Sequence, residues 1–175
     1  MTTWKSDNSH SQIQFKVKHL VVTTVSGTFG KFDATMESSS DDFTDAKINF
    51  TADIDSITTG NAQRDGHLKS DDFFNAAKYP QLKFVSTSVK KTDKENFKLE
   101  GNITIRETTK PITLNVVHGG TVKNFYNKTA AGFEVSGKLN RKDFGLMWDA
   151  KTEAGHIVVS DEVRLDVTLE MVQQD

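Results

Sequence analysis

The sequence predicts an all-β protein: an antiparallel barrel of about eight strands with a short helical insertion between the third and fourth. Three observations carry this expectation. Apolar and polar residues alternate with a period of two in run after run, short polar connectors separate the runs, and the alternation stops over the stretch from Ser56 to Pro80.

The first run places Ile13, Phe15, Val17 and His19 on one face and Gln12, Gln14, Lys16 and Lys18 on the other. This is the signature of a strand, whose successive side chains point to opposite faces. A weaker run follows from Val25 to Met36. Ile48, Phe50, Ala52 and Ile54 then oppose Lys47, Asn49, Thr51 and Asp53. Beyond the insertion comes a second weak run, Leu82 to Val89, and then Phe97, Leu99, Gly101, Ile103 and Ile105 alternate with polar neighbours. Ile112, Leu114, Val116 and His118 make the next run, followed by Phe133, Val135, Gly137 and Leu139. The last holds Val163, Leu165, Val167, Leu169 and Met171. Connectors at Ser38 to Asp42, Thr92 to Asn96 and Asn124 to Lys128 are rich in turn formers and favour hairpins in a meander. Strands of about ten residues reach roughly 33 Å, long for a small sandwich and suited to a tall barrel. Their outer faces carry Lys, Arg, Asp and Glu. A membrane-spanning barrel would be apolar there.

Within the insertion, Asn61-Ala62-Gln63-Arg64 and Ser70-Asp71-Asp72-Phe73 both read as N-capped helical turns, with Ser70 the better cap. Pro80 returns the chain to a strand. A patterned insertion of this length among short loops points to a lid or a functional loop.

The 175 residues suit a single domain, 1–175. With 22 Lys and Arg against 24 Asp and Glu, spread along the chain, the sequence lacks the concentrated basic face that nucleic acid requires. No cysteine is present, so disulfides and thiolate metal sites are excluded. No apolar run approaches the length of a membrane helix. The start, Met1 to Asp7, lacks the marks of an export signal. The expected compartment is therefore the cytoplasm, or the periplasm if the chain is the mature form of an exported precursor. Twelve Phe against 2 Tyr and 2 Trp suit apolar packing or an apolar cavity wall, since Phe has no polar handle.

Phe15, Val17, Phe29, Phe50, Ile54, Phe84, Leu114 and Phe133 fall on the inward register. Periodicity cannot distinguish a filled interior from a hollow one, and small eight-stranded barrels are commonly filled. Arg64, Asp65 and His67 form the main polar cluster of the insertion. Arg64 either meets an anionic head group, assisted by His67, or pairs with Asp65 or Asp72 to pin the loop. His19 and His118 sit on apolar registers, where a hydrogen-bonded core histidine is the usual case and a polar handle near the cavity the alternative. His10 and His156 read as loop residues. No catalytic or metal-binding motif is found, so no cofactor, metal or enzymatic activity is expected.

These residues also carry a resemblance. The segment His10-Ser11-x-Ile13-x-Phe15-x-Val17-x-His19, then Val25-x-Gly27-x-Phe29, precedes the most specific stretch, Asp55-Ser56-Ile57-x-Thr59-x-Asn61-x-x-Arg64-Asp65-x-His67-Leu68-x-Ser70-x-Asp72-Phe73-Phe74. Gly101-x-x-Thr104, Thr109-x-Pro111, Arg141-x-Asp143-Phe144-Gly145-Leu146 and Val159-Ser160-Asp161 follow in order. Over nearly its whole length the chain resembles the YceI-like proteins, lipocalin-like barrels associated with polyisoprenoid and other lipid binding. The resemblance implies a hollow barrel that holds a polyisoprenoid, an isoprenoid quinone or a fatty-acid derivative, and a homodimer as a further expectation. The apolar wall would then include Phe73 and Phe74 of the insertion, with Arg64, His67 and His19 near the polar end of the ligand. Two departures from the family stand out: the missing export leader, and Glu107 where a Gly is usual before the Thr-Lys-Pro turn, which should alter that turn locally.

Overall fold

A computed structural model describes residues 1–150 and 158–175. His156 therefore lies outside the described residues. Its strands form a closed antiparallel ring in which eleven hydrogen-bonded segments make eight staves. The first stave is β1 (Thr2–Ser6) continued by β2 (Gln12–His19), with a 3-10 turn, Asn8–His10, between them. Asp7 caps that turn by accepting a hydrogen bond from the Ser9 amide at 3.1 Å. The second stave is β3 (Thr23–Phe29) and β4 (Phe32–Ser38), broken at Gly30 and Lys31. The third is β5 (Lys47–Asp53) with the short β6 (Ile57–Thr58). The helix α1 (Ala62–Lys69) follows, and β7 (Gln81–Lys91), β8 (Asn96–Ile105), β9 (Thr108–Lys123), β10 (Thr129–Asn140) and β11 (Glu162–Gln173) complete the ring.

β11 closes the barrel by serving two partners end to end. Its first half pairs with β2, placing Leu165 opposite Phe15, and its last residues pair with β1, placing Met171 opposite Ser6. The Gln174 amide also donates to the Thr3 carbonyl at 2.8 Å, so the two chain ends lie side by side. The three predicted connectors fall between strands, and the eight predicted runs map onto the eight staves. Among the described residues no helix is long and apolar enough to cross a membrane.

Two local readings need correction. Ser70 opens a hydrogen-bonded turn, its carbonyl accepting from the Phe73 amide at 3.1 Å, but no second helix follows and its side chain does not cap that turn. It ends α1, with its amide and its hydroxyl both donating to the His67 carbonyl, at 3.1 and 2.6 Å. Asn61 is the N-cap, accepting from the Arg64 amide at 3.0 Å. The chain stops helical growth at Ser70 because Phe73 and Phe74 must turn back toward the barrel. Ile54 also leaves the alternation: β5 ends at Asp53, and a 3-10 turn, Ile54–Ser56, ties the Ile54 amide to the Pro80 carbonyl at 2.9 Å. At Glu107 the hairpin keeps two residues, and it is Arg106 that adopts the left-handed conformation, with φ 56°. Arg106 then reaches the carbonyls of Asp71 and Phe73, both at 3.1 Å, and so fastens the insertion to the barrel.

Candidate functional site

The barrel is hollow. An almost wholly apolar cavity of about 380 Å³ occupies its interior, within the range of small-molecule sites. Exposure records the same fact: Val163, Leu165, Val167 and Leu169 of β11 point inward yet are only partly buried. In a filled barrel they would be fully covered.

The wall explains the hollow. Three inward positions are glycines, and each is covered by a neighbouring side chain. A Cβ on Gly27 would lie 2.2 Å from the Phe15 ring, one on Gly101 2.4 Å from the Phe84 ring, and one on Gly137 2.5 Å from Leu114. The large side chains therefore lie flat along the wall instead of projecting into the lumen, as aromatic groups do over sheet glycines. Gly101 has the least room, because its added Cβ would also meet the Val85 carbonyl oxygen at 2.5 Å. Gly101→Ala should accordingly lower unfolding free energy by about 1–3 kcal/mol, measured by urea titration. A variant as stable as wild type would contradict this packing.

Eight of the ten residues expected on the wall are there: Phe15, Val17, Phe29, Phe50, Phe73, Phe74, Phe84 and Leu114. Ile54 is not. Its 3-10 turn buries it among Phe32, Ala52 and Ile57, off the cavity wall. Phe133 is not on this wall either. It points inward, but near the other end, where it lines a smaller void of about 80 Å³.

Arg64, His67 and His19, the expected polar contacts, all border the main cavity. Neither acid proposed as a partner for Arg64 takes its hydrogen bonds. Its guanidinium donates to the Thr59 hydroxyl at 2.7 Å and the Thr59 carbonyl at 2.8 Å. Asp65 accepts from the same hydroxyl at 2.6 Å and from the Thr59 amide at 2.8 Å. Burial acts to raise the Asp65 carboxyl, but these Thr59 bonds outweigh it and hold the group below its ordinary value. Asp72 pairs instead with His67, Nε2 to Oδ2 at 2.8 Å. The His67 ring packs edge-on against Phe73 and Trp148, with centroids 5.0 and 4.9 Å away.

Trp148 and Leu68 complete this rim and were not anticipated. Neither sits in a periodic run, and the available signal was a bulky apolar side chain in an otherwise polar connector. Arg141, also bordering the cavity, is only 3% exposed.

The opposite end is closed. Phe43, from the β4–β5 connector, packs edge-on against Trp4, His118 and Phe133, with centroids 5.5, 5.2 and 5.3 Å away. His118 stacks on Phe133 and its Nε2 meets the Thr121 hydroxyl at 2.9 Å. It is thus a hydrogen-bonded histidine of the closed end. Burial holds its pKa below the ordinary 6.5, with Lys91 adding to the effect and Glu95 and a Gly120 backbone bond opposing it. Well above 6.5 the ring is neutral in both folded and unfolded chains and contributes nothing to pH dependence. Below 6.5 the unfolded chain takes up the proton first, so stability falls on acidification. In His118→Gln the melting temperature should decline less steeply below pH 6.5 than in wild type. Parallel melting curves for the two proteins would refute this.

One further grouping lies apart from the cavity. Asp7, His10 and Glu170 bring ligand atoms within 4.8 Å of one another beside the 3-10 turn, and the Asp7–His10 hydrogen bond of 2.8 Å accounts for two of them.

Known proteins resemble this chain over nearly its whole length. The YceI-like domain matches residues 4–171. Protein YceI of Escherichia coli O157:H7 is 39% identical over 168 residues, covering 96% of this chain and 84% of that one. The crystal structure of the Campylobacter jejuni YceI protein superposes with a TM-score of 0.78 at 32% identity, over 90% of each chain. A polyisoprenoid-binding domain from Saccharophagus degradans shares the fold, with a TM-score of 0.69 at 15% identity over 98% of each chain.

Proposed function

This chain belongs to the YceI-like family, and from that premise we propose that it takes up a long apolar molecule in the barrel and carries it through water without altering it. The ligand class is a polyisoprenoid, an isoprenoid quinone or a fatty-acid derivative. The observation that carries this reading is the cavity of about 380 Å³ with its apolar wall and partly exposed inward side chains. An empty lumen of this kind leaves hydrocarbon surface facing water, and each methylene moved onto it gains about 0.8 kcal/mol before ordering costs. Arg64 and His67 border the cavity, and in this reading they meet the polar end of the ligand. Their engagement with Thr59 and Asp72 suits a fixed rim better than a mobile acid–base pair.

Native mass spectrometry of gently purified protein tests the reading. The expected spectrum shows a co-purifying adduct that organic extraction removes and that added prenol, quinone or fatty acid replaces. Protein that is always empty and takes up none of these would overturn it.

A further inference from the structure

The two voids share a boundary. Ala34, Ile48, Leu99, Val135 and Leu169 line both the cavity of about 380 Å³ and the smaller one of about 80 Å³. These side chains come from β4, β5, β8, β10 and β11, so they form a girdle around much of the barrel. Below it, among the described residues, every lining side chain is apolar and no polar atom faces the space. The floor is built by Phe43, Phe133 and Met171. Phe43 is held there in the left-handed conformation, φ 60°, unusual for a bulky side chain and maintained only where packing fixes it.

We propose that the smaller void is the lower chamber of the same ligand site, and that this girdle and the Phe43 floor together select the length and chemistry of the ligand's far end. The inference rests on the carrier reading and adds a specificity to it. A tail that passes the girdle gains a second dry compartment, whereas a shorter one stops above it. Because the lower chamber offers no hydrogen-bonding partner, the entering end must be bare hydrocarbon. A hydroxyl or carboxyl there would be buried unpaired. The site therefore takes amphiphiles with one polar end, tail down, and discriminates against chains that are polar at both ends.

Three of the girdle residues, Ile48, Val135 and Leu169, are only partly buried, so the waist can be narrowed without disturbing a sealed core. The experiment is a competition series on the delipidated full-length chain. Geraniol, farnesol and geranylgeraniol, each an isoprene unit longer than the last, displace the fluorescent probe N-phenyl-1-naphthylamine. Palmityl alcohol is compared with the matching α,ω-diol in the same assay.

In wild type, affinity should rise at each step of the prenol series, and the diol should bind at least about tenfold more weakly than the alcohol. Val135→Phe, which narrows the girdle, should weaken geranylgeraniol by about tenfold or more and geraniol by a much smaller factor. Ala46→Leu fills the lower chamber from below the girdle and should do the same, which guards against a folding defect in either variant. Thermal melts accompany both. Variants that follow the wild-type series, or a diol that binds as well as the alcohol, would overturn the two-chamber inference and leave the carrier reading standing. A wild-type protein that binds none of these probes would overturn both.

Discussion

Arg141→Met should lower unfolding free energy by about 3–5 kcal/mol, the loss expected when a buried charged hub is removed and its partners remain. The melting temperature should fall by about 10 °C. The side chain is 3% exposed. Its guanidinium donates to the carbonyls of Leu146 and Trp148, both at 2.7 Å, of Ser160 at 3.0 Å and of Val159 at 3.4 Å, and it lies 3.6 Å from the Asp161 carboxylate. Met retains most of the volume but leaves these acceptors in a poorly hydrated place, where each unsatisfied group costs about 1–3 kcal/mol. Lys should not rescue the variant, since a single ammonium cannot reproduce a planar fork that reaches several carbonyls. Trp148 and Val159 border the cavity, so faster ligand release should accompany the lost stability in stopped-flow dilution. Denaturant titration giving a loss below about 1 kcal/mol would place Arg141 among weak surface contacts and contradict the structure.

The second large effect concerns uptake rather than folding. Leu165→Asp should reduce affinity for any hydrocarbon ligand by at least about 100-fold. Leu165 lies within β11, faces the lumen and is only partly buried. In the empty barrel water reaches that position and can hydrate the carboxylate, which limits the damage to the fold. A bound chain would strip the water away and leave the charge against hydrocarbon. Aspartate is chosen because it is too short to extend to the rim, as lysine would. The control is the next residue along the strand. Arg164 points outward and is exposed, so Arg164→Asp should leave affinity within about twofold. Isothermal titration with one prenol on both variants decides the matter, and equal losses would remove the cavity as the binding site.

The strands were legible because period-two alternation is a property of the backbone itself, and the runs from Ile13 to Met171 needed no tertiary knowledge. What alternation does not encode is where a stave breaks or how deep a side chain lies. Ile54 kept the right parity but sat past the end of β5, and Phe133 faced inward but near the closed end. Ser70 carried a cap signal that suits either end of a helix, and the choice was made by the burial of Phe73 and Phe74 against the barrel. Trp148 and Leu68 lie in aperiodic segments, where an apolar side chain is visible but its neighbours are not. The void had a faint signature in the sequence after all. Gly27, Gly101 and Gly137 interrupt inward registers, and in a barrel that needed filling those positions would carry bulk.

The pairing of β1 with the tail of β11 fixes more than closure. Trp4 touches Phe43, so both chain ends emerge beside the sealed pole, opposite the rim formed by α1 and Trp148. A tether, affinity handle or fused partner joined to either end would sit beside that closed pole, on the side away from α1 and Trp148. Immobilisation by either end would therefore place the support against the Phe43 pole and not against α1.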